Sequence, residues 1–205
     1  MINIDIEYPS ITLPQGRLIQ IKINRYYQDL ATKFYRYSID TLLPAAIDQY
    51  ESSLKDGFPF NAYEVVMKYT VTLNYNCTLS TYFDQYQYTG GAHGNTLRLS
   101  NTWNLQTGNT IRLKDLFSDK SNYKDTVIKQ VQIQAKENLI KNPGIYFENY
   151  EDLIVQNFNE DNFYLTQNSV NIYYQQYDIA PYSTGIVVFD IPYSDLGVKS
   201  PKCKL

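Results

Sequence analysis

The sequence predicts an α+β fold, and three observations carry that expectation. Strand-period and helix-period blocks arrive segregated along the chain rather than strictly alternating. Residues 63–83 hold a long period-two alternation of apolar and polar side chains, the mark of strands with one buried face. Two stretches, one from Arg17 and one from Tyr123, change to three-and-four spacing, the mark of helices with one apolar stripe. The expected architecture is an antiparallel sheet meander packed against two main helices. Its parts are an N-terminal strand and long helix over residues 1–60 and an α+β part over 61–205, packed as one globular unit or as two closely associated subdomains.

In order, Ile2, Ile4, Ile6 and Tyr8 alternate with Asn3, Asp5 and Glu7, which reads as a half-buried strand ended by Pro9. Pro14-Gln15-Gly16 turns the chain into a helix whose stripe is Ile23, Tyr27, Leu30, Phe34 and Tyr37, resuming at Leu42, Ala46 and Tyr50. Pro44 lacks the N–H that the helical ladder uses, so the helix kinks or restarts there. From Tyr63, the odd positions through Cys77, with Leu79 and Phe83, form one apolar face. Strands average about 5–6 residues, so this run predicts a hairpin turning near Asn74–Asn76, its second strand reaching Tyr88. The expected consequence is burial of Val65, Met67, Tyr69, Val71 and Leu73 against the first helix. A further strand, Asn95–Leu105, meets the turn Gln106-Thr107-Gly108-Asn109 and returns through Thr110–Leu113. Tyr123, Val127, Val131, Ala135 and Leu139 mark the second helix, which Asn142-Pro143-Gly144 stops. After a polar stretch from Glu148 to Asp161, short strands follow at Phe163–Thr166, Val170–Tyr174 and Ile186–Ile191.

Composition excludes several classes. The chain has 205 residues, of which 43% are apolar and 19% charged, so it is long enough and apolar enough to bury a core without a metal or disulfide staple. A net charge of -3 is not the basic balance that a nucleic-acid partner requires. No run of 18 apolar residues is available for a membrane span. The first residues, Met1 to Ile6, lack the basic and apolar regions of a signal peptide, which leaves both a cytoplasmic chain and one trimmed of an export segment open. Cys77 and Cys203 show no metal-ligand spacing and no disulfide framework, and they read as a buried core thiol and a tail thiol. His93 is the single histidine, so a zinc site of the His₂ or His₃ type is excluded and no cofactor is implied. No GxSxG nucleophile elbow is present.

Four separated motifs carry more identity. Tyr88-Thr89-Gly90-Gly91-Ala92-His93-Gly94 closes a strand, and Leu105-Gln106-Thr107-Gly108 with Leu113-Lys114-Asp115-Leu116-Phe117 follows. Tyr174-Gln175-Gln176-Tyr177-Asp178-Ile179-Ala180-Pro181-Tyr182 comes next, then Ile191-Pro192-Tyr193-Ser194-Asp195-Leu196. In this order they resemble the extracytoplasmic domain of RsiV-type anti-sigma factors, and the accessory domain of PdaC-type peptidoglycan deacetylases is similar. The resemblance covers nearly the whole chain. The anti-sigma factors also carry a cytoplasmic sigma-binding segment and a membrane helix, and the deacetylases a metal-dependent catalytic domain. Neither is in this sequence, so only the module carries over.

The resemblance implies a non-catalytic cell-envelope module that recognises a lysozyme-like protein or a wall glycan, with an extracytoplasmic setting. The 21 tyrosines sharpen the expectation, because tyrosine supplies rigid amphipathic contact area at low entropy cost. The expected partner-binding residues are Tyr88, Gly90, Gly91 and His93 in one tight loop and Tyr177, Asp178, Pro181 and Tyr182 in another. The two loops are expected to lie side by side. The glycines have a second explanation, backbone angles or close packing that a side chain would forbid. Two other functions compete: an intracellular structural or assembly role, and a glycan-active hydrolase using His93 with a carboxylate such as Asp178.

Overall fold

The computed structural model describes residues 1–203. Eight strands and four α-helices run in the order β1 (Ile2–Ile6), α1 (Arg17–Tyr37), α2 (Leu43–Asp56), β2 (Tyr63–Tyr75), β3 (Thr78–Tyr88), β4 (Asn95–Asn104), β5 (Asn109–Thr110), α3 (Tyr123–Lys141), α4 (Tyr150–Gln156), β6 (Phe163–Leu165), β7 (Ser169–Tyr174) and β8 (Val187–Pro192). The α+β class is as expected. Strands β1 to β5 form one sheet in sequence order, and β6, β7 and β8 form a second. The first sheet is mixed rather than purely antiparallel, because β1 pairs parallel with β2, from Ile2 opposite Tyr63 to Ile6 opposite Met67, while β4 and β5 pair antiparallel. A parallel partner needs a long crossover, and α1 with α2 supplies it.

The chain divides into two compact units, and neither is continuous in sequence. The first comprises Met1–Tyr69 and Phe83–Leu97, and the second comprises Thr70–Tyr82 with the chain from Arg98 onward. In the first unit the helical stripe Ile23, Tyr27, Ala31 and Phe34 is buried, as are Leu42, Ala46, Val65, Met67 and Phe83. The ring of Tyr27 lies 5.4 Å from that of Phe83. Pro44 has the effect its chemistry predicts. It sits in the first turn of α2, directly after a π-helical turn at Ser38–Leu42 that joins α1 to α2. Asn24 fixes the incoming loop, its Oδ1 accepting from Ile11 N–H at 2.8 Å and its Nδ2 donating to Ile11 C=O at 3.0 Å.

The second unit packs the antiparallel sheet β6-β7-β8 against α3 and α4 around Val127, Val131, Ile154, Ile172 and Phe189. All six residues of β7 are buried, so this strand is covered on both faces. Hydroxyls satisfy its polar neighbours. Ser80 Oγ accepts from Leu165 N–H at 2.9 Å and lies 2.8 Å from Thr102 Oγ1, and Ser100 Oγ donates to Phe163 C=O at 2.6 Å.

Several expectations are corrected. The parity of β2 is real, but its burial is interrupted. Val65 and Met67 enter the first unit's core and Leu73 that of the second, whereas Tyr69 and Val71 between them stay 36% and 45% exposed. Leu73 therefore packs with α3 and its neighbours rather than with the first helix. Cys77 does not continue the buried face. With Asn76 it forms the two-residue turn between β2 and β3, both at positive φ (49° and 58°), so strand parity ends before it. Nor is it a free thiol: Cys77 and Cys203 form a disulfide with their Cα atoms 5.2 Å apart. The polar stretch from Glu148 contains α4, whose single buried turn (Tyr150, Ile154) is too short to show a period. The return strand after Gly108 is only Asn109–Thr110, because Leu113–Leu116 forms a 3₁₀ turn.

Candidate functional site

The glycine-histidine loop belongs to the first unit and connects β3 to β4. Its glycines serve packing and backbone geometry. Gly90 holds φ +82°, and a Cβ there would meet the Gln49 amide of α2 at 2.9 Å. A Cβ at Gly94 would lie 2.3 Å from the Tyr86 ring, closer than any side chain tolerates, while Gly91 has nothing within 4 Å. Tyr88 is half-buried, and Gly91, Ala92 and His93 are exposed. His93 Nδ1 lies 3.2 Å from Gly94 C=O, a contact within the loop itself.

The second loop, between β7 and β8, belongs to the second unit and is more elaborately held. Its centre is an apolar plug: Ile179 and Ala180 are buried. Asp178 ties the entry, its carboxylate accepting from Gln175 N–H at 2.7 Å while its own N–H donates to Gln175 C=O at 3.1 Å. Asn157 Nδ2 donates to Asp178 C=O at 2.6 Å, and Phe147 N–H to Ile179 C=O at 3.1 Å. The exit is a 3₁₀ turn at Tyr182–Thr184, with Thr184 Oγ1 donating to Ile145 C=O at 2.9 Å. Partial burial pushes the Asp178 carboxyl above its usual range, partly offset by the Gln175 N–H.

On this frame two tyrosines lie side by side. Tyr177 is 51% exposed and Tyr182 half-buried, their ring centroids 5.9 Å apart. Tyr177 also holds φ +67°, a left-handed conformation that costs a non-glycine residue about 1–2 kcal/mol. The surrounding hydrogen bonds enforce it. Pro181 limits the backbone between the rings. Of the expected binding residues, Tyr177, Asp178, Pro181 and Tyr182 are thus gathered in one loop, and Tyr88, Gly90, Gly91 and His93 in the other.

Sequence reasoning missed how the second loop is clamped. The Gln175 amide makes a reciprocal pair with the backbone of Arg98, donating to its C=O at 2.7 Å and accepting from its N–H at 2.9 Å. The Arg98 guanidinium lies 3.9 Å from the Tyr82 ring centroid. No sequence signal links positions 77 residues apart. The other motifs are structural. Asp115 accepts bidentately from Arg112 (2.9 and 3.1 Å) and from Lys120, which holds its carboxyl well below the usual range. Tyr193 donates to Thr166 C=O at 2.9 Å, and burial pushes its hydroxyl up to about 12.

Comparison with known families divides the chain in a similar way. Residues 1–96 match the family described as Deacetylase PdaC, and residues 114–194 match a family described as a protein of unknown function, DUF3298. The two parts are thus PdaC-like and DUF3298-like. Solved structures agree on the fold. A DUF3298 family member from Bacteroides fragilis superposes with a TM-score of 0.68 at 20% identity, covering 97% of this chain and 85% of that one. A DUF3298 family protein from Pseudomonas aeruginosa gives 0.61 at 22% identity, covering 97% and 84%. No curated protein matches the sequence. The DUF3298-like part contains the whole β7–β8 loop, and the PdaC-like part ends just beyond the glycine-histidine loop.

Proposed function

We propose that this protein is a non-catalytic binding module of the cell envelope, and that it recognises a lysozyme-like protein through the β7–β8 loop. The observation that carries the reading is Tyr177: exposed, paired with Tyr182, and held in a left-handed conformation by hydrogen bonds on both sides of it. Strain kept at an exposed aromatic position is a mark of a functional site rather than of packing. A loop already fixed by its own hydrogen bonds loses little entropy on binding, and tyrosines are the side chains in which interface energy concentrates. The resemblance to RsiV-type domains supplies the class of partner. The Cys77–Cys203 disulfide supports an extracytoplasmic setting, since such bonds persist in oxidising compartments.

The test is titration calorimetry with lysozymes and, separately, with soluble wall fragments. Tyr182→Ala is expected to leave stability within about 1 kcal/mol and to weaken lysozyme capture at least about tenfold. Tyr177→Gly is expected to bind as weakly while folding at least as stably, because glycine adopts the left-handed angle without strain. Binding of wall fragments alone would move the module to glycan recognition. Full affinity in both variants would refute the loop as the site.

A further inference from the structure

The five-stranded sheet has β1 at one edge and β5 at the other. The β5 edge is two residues long, short enough to discourage pairing, whereas β1 runs for five. Successive residues of a strand aim their N–H and C=O groups at opposite sides, and the parallel register with β2 fixes which side each takes. Tyr63 N–H donates to Met1 C=O and Glu7 N–H to Met67 C=O, both at 2.9 Å, so the odd-numbered residues of β1 serve β2. The backbone groups of Ile2, Ile4 and Ile6 therefore point the other way, at the edge. Burial agrees. These isoleucines share a face with their register partners Tyr63, Val65 and Met67, which are 6%, 0% and 0% exposed. The isoleucines themselves are only half-buried, because among the described residues no strand lies beyond β1.

We propose that β1 is a dimerisation edge, pairing antiparallel with β1 of a second copy of this chain about a two-fold axis through Ile4. Such an interface uses one patch twice. Ile4 then lies opposite Ile4 of the second copy and Ile2 opposite Ile6. Each of these pairs exchanges two hydrogen bonds, so every outward N–H and C=O of the three isoleucines is satisfied. The same pairing sets the isoleucines of both copies side by side on the face where each is half-buried. Charge selects this register. With the axis at Ile4, Asn3 lies opposite Asp5, an amide donor against a carboxylate. An axis at Asp5 would oppose two carboxylates, and an axis at Asn3 would leave Ile6 unpaired. The acidic side chains do not bar the approach, because Lys68 of β2 holds both Asp5 and Glu7, at 2.7 and 2.5 Å. A five-residue edge is small beside a standard interface, so the dimer is weak and forms as concentration rises.

The experiment follows the full chain by sedimentation equilibrium from about 1 μM to about 1 mM, the range of weak association. Mass should rise from that of one chain toward that of two. Amide exchange at Ile2, Ile4 and Ile6 should slow over the same range, while Asn3 and Asp5, whose N–H groups serve β2, stay protected throughout. Ile4→Pro should hold the chain monomeric, because proline removes an outward N–H and none that β2 uses. Asn3 supplies a second test that leaves the backbone alone and carries the case if the proline variant does not fold. Asn3→Asp sets carboxylates opposite Asp5 at both symmetry-related pairs and should weaken the dimer about fivefold, and Asn3→Lys should tighten it by about the same factor. A chain that stays monomeric through the whole range would overturn the proposal. A dimer unmoved by both Asn3 substitutions would overturn it too, placing the interface elsewhere. So would an Ile4 amide already protected at the lowest concentration, since the edge would then be covered within one chain.

Discussion

Alanine placed at each glycine of the glycine-histidine loop separates packing from recognition. At Gly94 a Cβ would sit 2.3–2.5 Å from three atoms of the Tyr86 ring. The contact is more than 1 Å short of the usual carbon separation, so the half-buried ring must leave its place, an overpacking cost of about 1–3 kcal/mol. At Gly90 the Cβ meets the end of a flexible glutamine, so φ +82° dominates, at about 1–2 kcal/mol. At Gly91, which has open space and no unusual φ, alanine is expected to change stability by no more than about 0.5 kcal/mol. Urea unfolding of the three variants should therefore rank Gly91→Ala well above the other two, with unchanged m-values. The mechanism at Gly94 is tested by a double-mutant cycle with Tyr86→Ala. Removing the ring removes the clash, so the Gly94→Ala penalty should largely vanish in that background, a coupling of about 1 kcal/mol or more. If Gly94→Ala is as stable as Gly91→Ala, or if the two substitutions add independently, the packing explanation of this loop is wrong.

Two other predictions concern the second unit. Leu73→Ala should cost about 2–5 kcal/mol while Val71→Ala, two residues away on the same strand face, costs no more than about 0.5 kcal/mol, both read by chemical denaturation; equal losses would refute the interrupted burial of β2. Asp115 contributes stability with a definite pH sign. Its carboxyl titrates lower folded than unfolded, chiefly through Arg112, so its contribution is complete above the ordinary carboxylate pKa of about 4 and is lost as pH falls further. Asp115→Asn should flatten that acid limb of the stability curve, and an unchanged limb would assign the acid sensitivity elsewhere.

Local periodicity decides an element wherever one face of it is buried along its whole length. That is why α1 and α3 were legible in the amino acids alone, with Ile23, Tyr27 and Phe34 recurring at helical spacing, while the β2–β3 hairpin was legible as strands from the shared parity of Val65, Met67 and Leu73 but not in where its face is covered. The glycine and tyrosine loops were legible for a related reason, since proline, glycine and clustered tyrosine mark backbone properties that belong to the residue itself. Where burial changes partway along an element, or depends on a partner far away in the chain, sequence period is silent. Tyr69 and Val71 have the same parity as Leu73, yet β2 passes from one core to another between them. Cys77 has the parity of a core residue, yet a turn starts before it and swings it out to meet Cys203. Gln175 carries no mark of Arg98. Tyr177 shows no mark of its left-handed angle, because the bonds between Gln175 and Asp178 on either side of it, with those from Asn157 and Phe147 beyond, and not its own preference, set it. The amino acids thus determined most of the segments that form helix and strand and where the glycine and proline turns fall. Only tertiary packing decided which positions on those segments are covered, which cysteines meet, and which tyrosine takes a left-handed backbone, because each of those depends on energies between residues that sequence spacing does not record.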